Sequence, residues 1–209
     1  MKIVDISWPL AAGMVSYKDR HPFSVQELRS IAAHTVADSL CPMLHLHAGT
    51  HVDAPSHMLE GGKTVEALSL EKMNGPCRVI DLSNESFTAI EAAHLLPHAI
   101  KRGERILLKT RNSMRSAFGN YDAQEVYLAA SAAEHLASCG VLLVGVDALG
   151  LERNQPGYPS HMALFKADII ILEGARLGAV SAGSFVLQLL PLALVGTDAA
   201  PARAVLIEV

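Results

Sequence analysis

Short apolar segments recur along the chain, divided by polar stretches that carry glycine or proline. Residues 3–7 have the spacing of a first strand, broken by Trp8-Pro9. Residues 11–24 hold Gly13, Lys18-Asp19-Arg20 and Pro22 and read as a loop, with Tyr17 as an exposed aromatic at its tip. Residues 26–33 fit either a strand or a short helix. Gly61-Gly62 marks a turn, residues 65–73 a short helix, and residues 77–82 and 105–109 two strands. Between the last two, Thr88-Ala89-Ile90-Glu91 has the form of a capping box, which predicts a helix to about Leu96, stopped by Pro97. Residues 111–119 are polar and loop-like. A second such box, Ser131-Ala132-Ala133-Glu134, predicts a helix closed by Gly140. Residues 141–146 and 168–173 are apolar runs of the kind that form strands buried on both faces, with a short helix at 160–166 between them. Residues 204–207 read as a closing strand. Helix and strand alternate most clearly over 131–173, without repeats or linkers. The pattern predicts one α/β domain over residues 1–209.

One stretch does not follow from apolar patterning. Residues 45–57, His-Leu-His-Ala-Gly-Thr-His-Val-Asp-Ala-Pro-Ser-His, place four histidines and an aspartate together. A helix would set Asp53 away from His47 and His51, and Gly49 and Pro55 oppose a helix. An extended segment instead projects His47, His51 and Asp53 from one side. Two imidazoles and a carboxylate converging in this way match the donors taken by zinc, manganese or iron. A lone histidine is most often a hydrogen-bonded core residue; three donors on one face, with His57 beside them, reverse that presumption.

Composition narrows the field. Half of the residues are hydrophobic and 18% are charged, as in a packed globular chain. The net charge is -4, and no basic stripe suits nucleic acid or an anionic membrane. The longest apolar run, residues 185–195, is interrupted by Gln188 and Pro191 and is too short to span a bilayer. The N-terminus lacks the pattern of a signal peptide. Cys41, Cys77 and Cys139 are isolated, as suits a reducing compartment, and the expected location is the cytoplasm. No nucleophile elbow, H-E-x-x-H, P-loop or G-x-G-x-x-G occurs. Further donors should be polar residues at the ends of apolar elements. Glu173 ends a buried strand, and His161 opens the helix before it. Asp147 ends another strand, in a structural or a supporting role. His94, His98 and His135 lie on expected helices without donors at useful spacing and read as surface or core histidines, and His21, His34 and His45 stay unassigned.

These residues resemble a known family. The run His47-x-Gly49-Thr50-His51-x-Asp53-Ala54-Pro55-x-His57 is similar to the signature of the metal-dependent cyclase-like hydrolases, which include bacterial-type kynurenine formamidases and isatin hydrolases. Gly61-Gly62-Lys63-Thr64-Val65, residues 79–82 and 105–110, Gly145-Val146-Asp147, His161, Glu173 and Leu190-Pro191-Leu192 fall in family order, so the likeness spans nearly the whole chain. The resemblance implies a first divalent ion on His47, His51 and Asp53. Asp53 would bridge to a second ion on His161 and Glu173, with His57 as general acid and base. Zinc is the implied metal, two ions per chain, with manganese the alternative. Two cations about 4 Å apart lower the pKa of a shared water towards about 7 and supply hydroxide at neutral pH. The implied fold is a swivelling β/β/α domain with a mixed sheet and flanking helices, assembled as a homodimer or tetramer. The implied reaction cleaves an amide-type C–N bond of a small carbonyl substrate, N-formylkynurenine first. A cyclic imide, lactam or lactone is the alternative substrate, and a non-catalytic metal-binding relative the alternative role. Formamidases of the family carry a tryptophan in a Val-Trp-Pro-Gly-Asp-like run; here Val15-Ser16-Tyr17-Lys18-Asp19 stands instead, making Tyr17 the expected substrate-binding aromatic. The residues after Glu173, Gly174-Ala175-Arg176-Leu177, lack the asparagine common in formamidases.

Overall fold

The computed structural model describes residues 1–20 and 23–208. His21, Pro22 of the expected loop, and Val209 lie outside the described residues. The chain opens with β1 (Ile3–Asp5). An antiparallel hairpin of β2 (Ser24–Arg29) and β3 (Asp38–Met43) follows, so residues 26–33 begin as strand rather than helix. Then come β4 (His51–Asp53), a single helical turn α1 (Leu70–Met73) and β5 (Gly75–Asp81). The middle of the chain adds β6 (Ala89–Ile90), α2 (Ala92–Leu95), β7 (Arg105–Lys109), β8 (Tyr127–Leu128) and α3 (Ala130–Cys139). The last part gives β9 (Leu143–Val146), α4 (Pro159–Lys166), β10 (Ile170–Glu173), β11 (Gly183–Pro191) and β12 (Ala199–Glu208).

Seven strands close on themselves in the order β12-β11-β5-β7-β9-β10-β4, with β4 pairing back to β12 and β1 added beside β12. Four neighbours, β5, β7, β9 and β10, run parallel; β4, β11 and β12 run antiparallel to theirs. This is a mixed α/β fold built on a closed barrel with few helices. Side chains alternate across each strand. Val52, Val79, Leu107, Leu143, Leu172, Leu187 and Leu206 fill the barrel interior. Their neighbours Ile80, Ile106, Leu108, Val144 and Ile171 form a second core with Leu95 of α2, Leu136 of α3 and Leu164 of α4. The apolar runs of β7, β9 and β10 are therefore buried on both faces, as their sequences predict.

The register of β4 sets the site. Val52 lies opposite Leu172 and faces inward. His51 pairs with Glu173, and Asp53 with Ile171, on the outer face beside α4.

Several local expectations shift. Thr88 does not cap a helix, because Ala89–Ile90 is extended and pairs in parallel with Tyr127–Leu128. The capping box belongs to Glu91 and His94, three residues on, and Pro97 is taken into a following 3-10 turn. Ser131 lies inside α3, where its hydroxyl accepts from the Ala92 amide at the start of α2 and donates to Glu91. Gly140 closes α3 in the left-handed region, as expected. Residues 65–73 divide into a 3-10 turn and one α-helical turn. The apolar run 185–195 is in large part β11, with Leu187 and Leu189 pointing inward and Gln188 and Leu190 outward.

Candidate metal centre

Only residues 51–53 of the histidine-rich stretch are extended; residues 46–50 form a turn. His51 and Asp53 share a face, as alternation predicts, whereas His47 reaches the same place from the turn. Gly49 makes this possible, with φ at +61°. Gly174 is required by close approach, because a Cβ there would lie 2.3 Å from the Gly49 carbonyl oxygen. Thr50 ties the two segments together: its hydroxyl donates to the Gly174 carbonyl at 2.6 Å and accepts from the Trp8 amide at 2.7 Å.

Two carboxylates organise the centre. Asp53 Oδ1 lies 3.0 Å from His47 Nδ1 and 3.3 Å from His51 Nε2, and its Oδ2 lies 3.5 Å from His161 Nε2. Glu173 Oε2 lies 3.2 Å from His51 Nε2 and its Oε1 3.4 Å from His161 Nε2. Each carboxylate thus divides its oxygens between His51 and His161. The opposite nitrogen of each ring is engaged elsewhere. His51 Nδ1 is 2.9 Å from the Gly49 carbonyl oxygen, His161 Nδ1 is 2.5 Å from Glu152 Oε1, and His47 Nε2 is 3.0 Å from Asp198 Oδ2. If each outer nitrogen donates, the inner nitrogen of each ring is left as a lone pair facing the carboxylates.

The electrostatics agree. Burial opposes a charge on His51, but Asp53 and Glu173 outweigh it and push its pKa up to about 10. The same contest, with Asp53, Glu152 and Glu173 prevailing over burial, pushes His161 up to about 11. Burial and the charge of Asp53 work to raise Glu173, yet its contacts with His161 and His51 hold it at about 2. Asp53 is held well below the usual carboxylate range by its three histidines, against burial. Such a cluster retains positive charge strongly and binds protons where no other cation neutralises its acids.

Geometry tests the fit of a divalent ion. His51 Nε2 and Asp53 Oδ1 are both buried and lack a hydrogen-bond partner, though they lie 3.3 Å apart. Orphaned buried polar atoms are costly, and a cation between them would satisfy both. One donor atom each from His51, Asp53 and Glu173 lie within 4.8 Å of one another, and so do those of His47, Asp53 and His57. The two groups share Asp53. The residues present fit a divalent metal ion.

His57 stands at the open side, on a 3-10 turn from Pro55 to His57, with its side chain 29% exposed. Its Nδ1 is 3.1 Å from Asp198 Oδ2, which leaves Nε2 for the adjoining cavity. That cavity, about 480 Å³, is lined by His57, His47, Asp53, His161 and Glu173 together with Tyr17, Lys18, Arg20 and Tyr158. Tyr17 is half-buried rather than exposed, in edge contact with Tyr121 at 5.3 Å between ring centres. His45 lines the cavity too, and its Nδ1 accepts from the His47 amide. Asp147 is structural: buried, it takes hydrogen bonds from the amides and hydroxyls of Thr110 and Ser113.

Three residues at the site are additions to the sequence reading. Glu152 braces His161, Asp198 braces His47 and His57, and Tyr158 forms part of the cavity wall. Asp198 lies between a turn and the start of β12, where no local pattern marks it. Nothing in sequence distinguishes Glu152 or Tyr158.

Residues 4–153 match the family model described as "Putative cyclase". The chain belongs to the cyclase family. It is 34% identical to a kynurenine formamidase of Sphingopyxis alaskensis, over all of this chain and 99% of that protein. A solved structure described as a predicted metal-dependent hydrolase from Bacillus stearothermophilus is 39% identical and superposes with a TM-score of 0.87, covering 98% of this chain and 97% of that one. Isatin hydrolase A from Ralstonia solanacearum shares the fold, with a TM-score of 0.80 at 20% identity over 99% of this chain and 92% of the other.

Proposed function

We propose that this chain is a metal-dependent amidohydrolase that releases formate from N-formylkynurenine. The observation that carries this reading is the arrangement of His47, His51 and His161. Each presents one ring nitrogen to Asp53 or Glu173 and anchors the other on a separate acceptor. His47, His51 and Asp53 would hold one ion, and Asp53, His161 and Glu173 a second. Zinc, two ions per chain, suits these donors, with manganese the alternative. When bound, such ions lower the pKa of water and stabilise charge that develops on the substrate carbonyl oxygen.

The chain's own groups supply the rest. His57, beside the ligands but anchored on Asp198, takes the proton of the attacking water. It then returns a proton to the leaving nitrogen as the C–N bond breaks, so that formate and the free amine result. Tyr17 and Tyr158 offer aromatic walls for a ring-bearing substrate. Tyr17 in place of a family tryptophan favours a second reading, hydrolysis of a cyclic imide, lactam or lactone. The kynurenine formamidase relative supports the first.

The remaining attributes belong to the same reading. The protein is one domain of the swivelling β/β/α type, acts in the cytoplasm on a small molecule, and is a homo-oligomer. Exposed Val25, Leu28, Leu40 and Met43 on the β2–β3 hairpin support association, since an isolated two-stranded hairpin is marginal in water. No helix among the described residues is long and apolar enough to cross a membrane.

The test is turnover of N-formylkynurenine and of isatin by one metal-analysed sample, before and after chelation. Formate release that disappears on chelation and returns with zinc or manganese supports the proposal. Ring opening of isatin without formate release replaces it with the second reading.

A further inference from the structure

Asp198 precedes β12, and its backbone is fixed by the centre itself. Its carbonyl accepts from the Ala54 amide at 2.8 Å, and the Thr197 carbonyl accepts from the Val65 amide at 3.1 Å. The next residue, Ala199, pairs with Asp53 in the ladder between β12 and β4. The side chain is thereby delivered between two histidines whose rings lie 4.4 Å apart, His47 and His57. One oxygen, Oδ2, serves both, at 3.0 Å from His47 Nε2 and 3.1 Å from His57 Nδ1. A carboxylate oxygen accepts only, so both ring nitrogens must donate to it. That fixes two tautomers together: His47 keeps the lone pair of Nδ1, which faces Asp53, and His57 keeps the lone pair of Nε2, on the cavity side.

We infer that Asp198 is a positioning residue that couples the metal centre to proton transfer, holding His47 as a ligand and His57 as a base through a single shared oxygen. The inference rests on the reading of His57 as the proton carrier. An exposed ion pair alone contributes little. Asp198 differs in that its backbone is locked, both of its partners are imidazoles of the site, and both contacts meet at one atom. Partners of this kind behind a ligand or base change affinity or activity by about 10- to 100-fold.

Two measurements test this. The first needs no turnover: nitrogen-15 NMR of the histidine rings in the zinc-loaded protein. In the unsubstituted protein His57 is expected as the Nδ1–H form, and Asp198→Ala should shift it towards the mixture shown by free imidazole. An unchanged His57 tautomer overturns the inference. The second is a kinetic cycle at saturating zinc. Asp198→Ala should lower kcat by about 10- to 100-fold with KM nearly constant, and Asp198→Ala combined with His57→Ala should be no slower than His57→Ala alone. Losses that multiply overturn the inference, since Asp198 would then act apart from His57. If His57→Ala leaves turnover intact, the proton-carrier reading fails instead, and the ring spectra still decide whether Asp198 sets the tautomers. Should the alanine variant fold poorly, Asp198→Asn keeps an acceptor oxygen and is expected to retain the wild-type His57 signal.

Discussion

Asp53 and Asp198 both touch His47, but they belong to two differently made regions. Asp53 is 1% exposed on a barrel strand, in register with β10 and β12 on either side. Its companions His51, His161 and Glu173 are equally buried, on strands or near the start of a helix. Asp198, with its side chain 44% exposed, lies on the open side with His57 and Tyr17, each on a 3-10 turn, the latter irregular at Lys18, where φ is +54°. Regular structure thus holds His51, Asp53, His161 and Glu173, whereas His47, on its turn, and the groups proposed to meet substrate and protons sit on irregular segments.

The largest effect should come from breaking the inner region. Asp53→Ala removes the shared carboxylate and leaves three imidazoles facing one another, so zinc content and turnover should both fall to background. Metal analysis checks this, and retention of two equivalents of zinc would contradict it. Glu152→Ala removes the partner of His161 while leaving every proposed ligand in place. Zinc affinity or kcat should fall by about 10- to 100-fold, read by competition with a chelator and by steady-state assay.

A third test uses pH. In the metal-free protein, His51 and His161 have pKa values raised to about 10 and 11 from an ordinary 6.5. Their stabilising contribution is complete below that ordinary value and is lost as pH rises towards the folded-state values. Zinc needs the same rings unprotonated. The metal-free Tm should therefore decline from about pH 6.5 to about pH 9, and the rise in Tm on adding zinc should grow over the same range. Calorimetry should also record proton release on zinc binding. A zinc-induced rise that shrinks with pH would count against the site. The smallest effect belongs to the outer wall: Tyr17→Ala should raise KM for an aromatic formamide several-fold with little change in kcat, as for a group that binds ground and transition states alike.

Legibility in sequence followed the same division. Alternation placed His51 and Asp53 on one face, and the apolar runs around Leu107, Val144 and Ile171 identified strands covered on both sides. His47 comes to the cluster by another route than alternation implies, since it sits on a turn and not on an extended run. Asp198 and Glu152 act through partners distant in sequence, which no local pattern encodes. β11 was obscured because Gln188 and Pro191 interrupt an otherwise apolar run; both are tolerated there because Gln188 points outward and Pro191 ends the strand. The cap at Thr88 failed because tertiary pairing kept Ala89 and Ile90 extended, a choice that local propensity does not control, and Ser131 is no cap because α3 already begins at Ala130.

β4 is the seam of the barrel. It bonds to β10 on one side and β12 on the other, and the hydroxyl of Thr50 just before it reaches the Gly174 carbonyl across 124 positions of chain. Contacts of such separation form late and slowly, because a long loop must be closed before they return any energy. The donor groups of His51, Asp53 and Glu173 consequently come together only when the ring of strands shuts. A half-folded chain would lack the assembled donors, and an ion held by them would act as a clasp across that seam. Zinc should therefore slow the opening of the finished barrel far more than it speeds its formation.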